Sequence, residues 1–133
     1  VKAALTIPVL ANGDIVDAAS AQRCKQWTQA DGLMIGRAAF GDPWVFQEIH
    51  AALSGEPIPP RPPLSARVGM FVRQFELAMA DKGEKIACLE ARKHFAWYLR
   101  GVPYSGYYKT QISAIAMAAD VYRIADGVCH DLK

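Results

Sequence analysis

The chain has 133 residues, of which 52% are hydrophobic, and its formal net charge is +2. That length suits one domain, or a small domain with part of another, and no apolar run approaches the roughly 18 residues that span a bilayer. Three widely spaced cysteines (Cys24, Cys88 and Cys129) and three dispersed histidines (His50, His94 and His130) have no metal-ligand spacing, so reduced thiols, a cytoplasmic protein and no metal site are expected.

The first residues lack the pattern of a signal peptide. The chain begins at Val1 and reaches an apolar run at 5–11, which reads as a cut through a longer protein. Pro8 lies within that run, and a strand that begins near it tolerates it. Asn12-Gly13-Asp14 follows. An Asn-Gly pair can make a hairpin turn, but residues 17–28 carry Ala18, Ala21, Cys24 and Lys25 at helical spacing, with Asp17 as the N-cap. A second strand is expected at 31–35 and a second helix at 43–54. Asp42 caps that helix and Pro43 takes its first position, and Val45, Phe46, Ile49, Ala52 and Leu53 form its apolar face. Strand, helix, strand, helix with continuous apolar strands is the order of a parallel sheet covered by helices. Two strands alone would leave exposed edges, a second sign of a longer protein.

Residues 55–63, GEPIPPRPP, form a stiff linker that forbids helix and marks a domain boundary. Three amphipathic helices are expected after it. The first, 65–82, buries Val68, Phe71, Val72, Phe75 and Met79 and stops at Gly83. The second, 84–99, buries Cys88, Ala91, Phe95, Tyr98 and Leu99. The third, 109–125, turns Ile112, Ile115, Ala116, Ala119 and Tyr122 inward and closes at Gly127, with Cys129 in a frayed tail. Together they make a compact bundle.

Charge separates the two halves. Residues 1–63 hold five Lys/Arg and six Asp/Glu (5 − 6 = −1), and residues 64–133 hold ten and seven (10 − 7 = +3). Between Lys85 and Lys109 five basic residues face one acid, Glu90, a patch suited to an anionic partner.

Two places can carry chemistry. At the end of the second strand, Gly36 lets backbone N–H groups approach a phosphate, and Arg37 adds charge and a forked donor. Ala38-Ala39-Phe40 can add a turn of helix aimed at the same anion. Asn12, Gly13 and Asp14 end the neighbouring strand, with the Asp14 backbone N–H a better anion donor than its carboxylate. In (β/α)8 barrels a phosphate site often forms from the loops after strands seven and eight plus a short extra helix. The second place is the helix 84–99, where Lys93, Trp97 and Arg100 fall at i, i+4 and i+7, flanked by Arg92 and His94. Basic groups interleaved with an aromatic suit a nucleic acid; a solvated helix face with Trp97 half packed is the plainer account. Tyr104, Tyr107 and Tyr108 beside Lys109 either extend that surface or pack it.

IPVLANGDI, ADGLMIGRAAFGDPWVFQEI, the proline-rich linker and ARKHFAWYLRG together resemble the C-terminal part of the tRNA-dihydrouridine synthases, most closely the bacterial B-type branch. The resemblance implies that residues 1–54 are the last two βα units, strands 7 and 8, of an FMN-binding (β/α)8 TIM barrel. It implies that residues 64–133 form an all-helical tRNA-binding domain, joined to the barrel by the linker 55–63. Members reduce the 5,6 double bond of particular uridines in tRNA, with NADPH reducing FMN and a cysteine donating a proton. Carried over, Asn12, Gly13, Asp14, Gly36 and Arg37 bind the FMN phosphate. Arg92, Lys93, His94, Trp97 and Arg100 become RNA contacts. The family's catalytic cysteine lies in barrel strands outside this sequence, and Cys24, Cys88 and Cys129 do not match it, so this chain alone is expected to be inactive. tRNA is the expected partner of a monomer, with no membrane and no metal. The alternatives are another FMN- or phosphate-binding barrel oxidoreductase, or a non-catalytic RNA-binding helical module.

Overall fold

The computed structural model describes residues 1–132, which fall into two compact units that divide between Arg61 and Pro62.

The first unit is built on two short parallel strands, β1 (Leu10–Asn12) and β2 (Gly32–Met34), in the register Leu10 to Gly32, Ala11 to Leu33 and Asn12 to Met34. β1 starts later than the apolar run at 5–11. Pro8 has no N–H for a ladder, and the Val9 N–H donates to the Asp31 carboxylate at 2.7 Å. Asp31 also pairs with Lys2 at 2.7 Å, so the entry to β1 is fastened to the entry to β2. Between the strands runs α1 (Ala18–Thr28), the crossover that a parallel pair requires. Asp17 is its N-cap: the Ser20 N–H donates to the Asp17 carboxylate at 2.8 Å, and the Ser20 hydroxyl accepts from the Asp17 N–H at 3.0 Å.

After β2 comes a 3-10 turn, Arg37–Ala39, and then α2 (Val45–Ser54). α2 begins two residues beyond the expected Pro43, with Trp44 at the N-cap. The Asp42 carboxylate, expected to cap, instead pairs with Arg61 at 2.6 Å. Val45 and Ile49 are buried with Ile15 and Ala21, and Cys24, Leu33, Ile35, Ala38 and Ala39 pack against them. Phe46 and Leu53, expected on the inner face, are exposed, and Ala51 is buried in their place. Glu48, in the first turn of α2, accepts from the Ala18 N–H at 3.1 Å and so satisfies the start of α1.

The second unit is all helical: α3 (Leu64–Lys82), α4 (Glu84–Tyr98), α5 (Gly106–Ser113) and α6 (Ala118–Asp131). Phe71 on α3 stacks on Phe95 of α4 with centroids 4.0 Å apart, and Tyr98 closes the cluster at 5.8 Å. Gly83, at φ 82°, lets the chain turn sharply from α3 into α4. The expected single helix at 109–125 is two helices. The break at 114–117 is held from α4: Arg92 Nε donates to the Ile115 carbonyl at 2.9 Å, and the Glu84 carboxylate accepts from the Ala118 N–H at 2.7 Å. Asp120 accepts from the N–H groups of Ala116 and Met117 at 3.0 and 3.3 Å and so starts α6. Ala116 and Ala119 are exposed, Tyr122 is 38% exposed with its ring edge-on against Phe75, and Val121, Ile124, Ala125 and Val128 are buried. Gly127 does not close a helix but lies inside α6, and Cys129 is in its last turn rather than in a frayed tail. Among the described residues no helix is long and apolar enough to cross a membrane.

Candidate functional site

The parallel register decides the geometry of the first site. Asn12 lies opposite Met34, so both strands end at one edge and deliver Gly13-Asp14 and Gly36-Arg37 side by side. Gly13 (φ 146°) and Asp14 (φ 45°) both take backbone conformations that let the chain turn sharply off β1. A Cβ built on Gly13 or on Gly36 meets nothing within 4 Å, so the space above both is open.

Arg37 opens the 3-10 turn, and Ala38 and Ala39 anchor that turn by packing on the core beneath. The Arg37 guanidinium therefore points away from the core and donates to the Asp14 carboxylate at 2.9 Å, with both side chains more than 85% exposed. The first bond inside the turn runs from the Ala39 N–H to the Gly36 carbonyl at 3.1 Å. The N–H groups of Arg37 and Ala38 precede it and have no acceptor within the turn. A forked cation, open glycines and first-turn N–H groups form a donor set that fits a phosphate. The Asp14 carboxylate is the one group at the site that opposes an anion, and it sits on the cation that would neutralise one.

On α4, Lys93 and Trp97 meet as a cation–π pair, with Lys93 Nζ 4.8 Å from the ring centroid. His94 packs edge-on against Trp97 at 5.1 Å. Burial holds the His94 pKa below that of a free histidine, so its ring is neutral at pH 7. Arg100 is exposed just past the end of α4. Arg92 is also exposed, but its Nε is committed to the Ile115 carbonyl, which gives it a structural task besides any contact with a ligand. Arg67 on α3, not singled out from the sequence, donates to the carbonyls of Tyr98 and Arg100, the latter at 3.2 Å. It thereby fixes the end of α4 with a cation where the helix dipole favours one. Only the fold brings residues 67 and 100 together, so no local signal announces it.

Burial pushes the Cys88 thiol pKa up, and partial desolvation together with Asp126 raises that of the exposed Cys129, the direction opposite to an activated thiol. Cys24 packs on the core of the first unit. Among the described residues no group of three or more His, Cys, Asp or Glu is arranged to hold a metal ion.

Residues 1–129 match the family model described as Dihydrouridine synthase (Dus). A probable tRNA-dihydrouridine synthase of Mycobacterium leprae is 45% identical over 98 residues, which are 74% of this chain and 26% of that protein. The tRNA-dihydrouridine synthase B of Pasteurella multocida is 34% identical over 115 residues, 86% of this chain and 35% of that protein. A probable tRNA-dihydrouridine synthase of Rickettsia typhi is 33% identical over 113 residues, 85% of this chain and 35% of that protein. The chain thus spans between about a quarter and a third of the length of these curated relatives.

Proposed function

Because this chain belongs to the dihydrouridine synthase family, we propose that it is the C-terminal part of a flavin-dependent, B-type tRNA-dihydrouridine synthase working in the cytoplasm. Its first unit supplies strands 7 and 8 of an FMN-binding TIM barrel, and its second unit is the tRNA-binding domain.

The observation that carries this reading is the in-register ending of β1 and β2, which sets Asn12-Gly13-Asp14 beside Gly36-Arg37. That edge has the donors a flavin phosphate needs. Arg37 supplies the charge, the first-turn N–H groups supply hydrogen bonds, and the open space over Gly13 and Gly36 admits the anion. An arriving phosphate competes with the Asp14 carboxylate for the Arg37 guanidinium, and Asp14 contributes its backbone N–H. When bound, FMN supplies the hydride chemistry that reduces the 5,6 double bond of a uridine at the expense of NADPH. In the second unit Arg92, Lys93, His94, Trp97 and Arg100 present charge and aromatic faces to RNA, Arg92 while also holding the Ile115 carbonyl. Leu10 and Met34 are 65% and 55% exposed on the two short strands, an apolar surface that further barrel strands would cover.

This chain has no counterpart of the family's catalytic cysteine, and we expect it alone neither to hold FMN tightly nor to turn over. The test uses the longer protein, titrated with FMN by fluorescence. Arg37→Ala is expected to weaken FMN by about 2 kcal/mol, roughly thirtyfold in Kd, as the loss of a charge-assisted hydrogen bond. Asp14→Asn keeps the backbone N–H, removes the opposing charge and is expected to bind at least as well as the wild type. Unchanged binding by Arg37→Ala would overturn the phosphate assignment, and saturable tight FMN binding by residues 1–133 alone would overturn the incompleteness.

A further inference from the structure

Two tyrosines are turned out into solvent, Tyr104 in the loop between α4 and α5 at 93% exposure and Tyr107 in the first turn of α5 at 70%. Tyrosine gains its stabilising contacts by burying its ring; Tyr104 forgoes that gain, and Tyr107 keeps an edge contact with Tyr108. Tyr104 also has φ +56°, a left-handed backbone that suits glycine or asparagine and opposes a bulky side chain. Neither packing nor backbone geometry accounts for a tyrosine there, and strain held at such a position points towards a functional segment.

The loop is braced. The Val102 N–H donates to the Leu99 carbonyl at 3.2 Å, and the hydroxyl of buried Ser105 donates to the Val102 carbonyl at 2.8 Å. Tyr107 rests edge-on against Tyr108 at 5.2 Å, and Tyr108 is buried with its hydroxyl donating to Asp131. The Tyr107 ring therefore stands on a fixed support, and Tyr104 is carried on a hydrogen-bonded backbone. Along the chain from residue 91 to residue 119 there is no Asp or Glu, and there are four Lys/Arg; the Asp131 carboxylate, from α6, is taken up by the Tyr108 hydroxyl. Two of the four cations, Arg100 and Lys109, are exposed and bracket the tyrosines in the chain.

From this juxtaposition of exposed rings and flanking cations, we infer that residues 101–107, the loop after α4 and the start of α5, are a stacking platform for unpaired nucleobases. The protein grips its RNA through looped or splayed nucleotides rather than through a paired stem. The inference rests on the tRNA reading above and adds to it a class of contact and the residues that make it. A π-face serves any base, whereas a duplex keeps its bases stacked on one another and offers phosphates and sugars. Tyrosines also suit protein interfaces, but a stretch without acidic residues favours a polyanion.

The test measures binding of the full chain to an unmodified tRNA transcript and to a blunt RNA duplex, by anisotropy across a salt series. Tyr104→Ala and Tyr107→Ala are each expected to weaken tRNA binding about tenfold, with the salt slope and duplex binding unchanged. Tyr104→Trp keeps wild-type affinity. Tyr104→Gly relieves the backbone, folds at least as well and loses the same affinity. Arg100→Gln, by contrast, lowers the salt slope by about one. Tyrosine variants that bind tRNA like the wild type would overturn the stacking platform and leave the tRNA reading standing. A loss shared equally by tRNA and duplex would also overturn it. A wild-type chain that binds neither RNA would remove both.

Discussion

Tyr108 shows what one residue holds in this molecule. Its ring is buried between α5 and α6, and its hydroxyl donates to the Asp131 carboxylate. The hydrogen bond to Asp131 pushes the Tyr108 pKa up to about 12, while an unfolded tyrosine stays at 10.0. The folded state therefore binds this proton more tightly than the unfolded state does. Its contribution to stability is whole below pH 10 and is lost as pH rises towards 12. Thermal melts from pH 9 upward are expected to fall more gently in Tyr108→Phe than in the wild type; parallel curves would show that the hydrogen bond carries none of this loss. Asp14 and Arg37 contrast with Tyr108, since their ion pair is open to water and such pairs add about 0–1 kcal/mol. On the proposed reading Arg37 serves a phosphate rather than the fold.

At the scale of elements, the contact between α5 and α6 depends on a missing side chain. A Cβ on Gly127 would lie 2.7 Å from the Tyr108 hydroxyl oxygen and 2.9 Å from Cε1 of the same ring. Alanine in mid-helix ordinarily gains about 1 kcal/mol over glycine. Here the clash outweighs that gain, and Gly127→Ala is expected to cost about 1–3 kcal/mol in a denaturant titration. In a Tyr108→Ala background the same change should become neutral or favourable; an unchanged penalty would place the crowding elsewhere. Gly127 also shows what the sequence hides. Read along the chain, it is a helix stop, because glycine often ends helices. Only the arrival of Tyr108 from another helix explains it as a packing position. The break at 114–117 was hidden in the same way. Ile112, Ile115 and Ala119 keep helical spacing across it with no glycine or proline to mark it, and the bonds that impose it come from Arg92 and Glu84 on α4. By contrast, the stripes of α3 and α4 were legible because Phe71, Phe75, Cys88, Ala91, Phe95 and Tyr98 repeat at helical spacing and meet one another directly. At the strand ends, the sequence already grouped Asn12-Gly13-Asp14 with Gly36-Arg37 as one anion site, because strand-helix-strand order makes the two strands parallel neighbours. The parallel register that aligns them follows from the crossover through α1.

For the whole molecule, family membership and geometry point the same way. The chain spans about a quarter to a third of its curated relatives, and its two strands leave Leu10 and Met34 largely uncovered. In the proposed protein the first unit completes a barrel with a phosphate site at its edge, and the helical unit presents a cationic, aromatic surface to RNA. On the proposed reading each unit is a part of a longer protein whose proton-donating cysteine lies outside residues 1–133. The most direct test incubates that longer protein with FMN, NADPH and unmodified tRNA and follows uridine by mass spectrometry. A uridine in the tRNA is expected to gain two hydrogens, and that gain is expected to be lost in Arg37→Ala together with bound flavin. A protein that holds flavin and oxidises NADPH but reduces no uridine in any tRNA would contradict this.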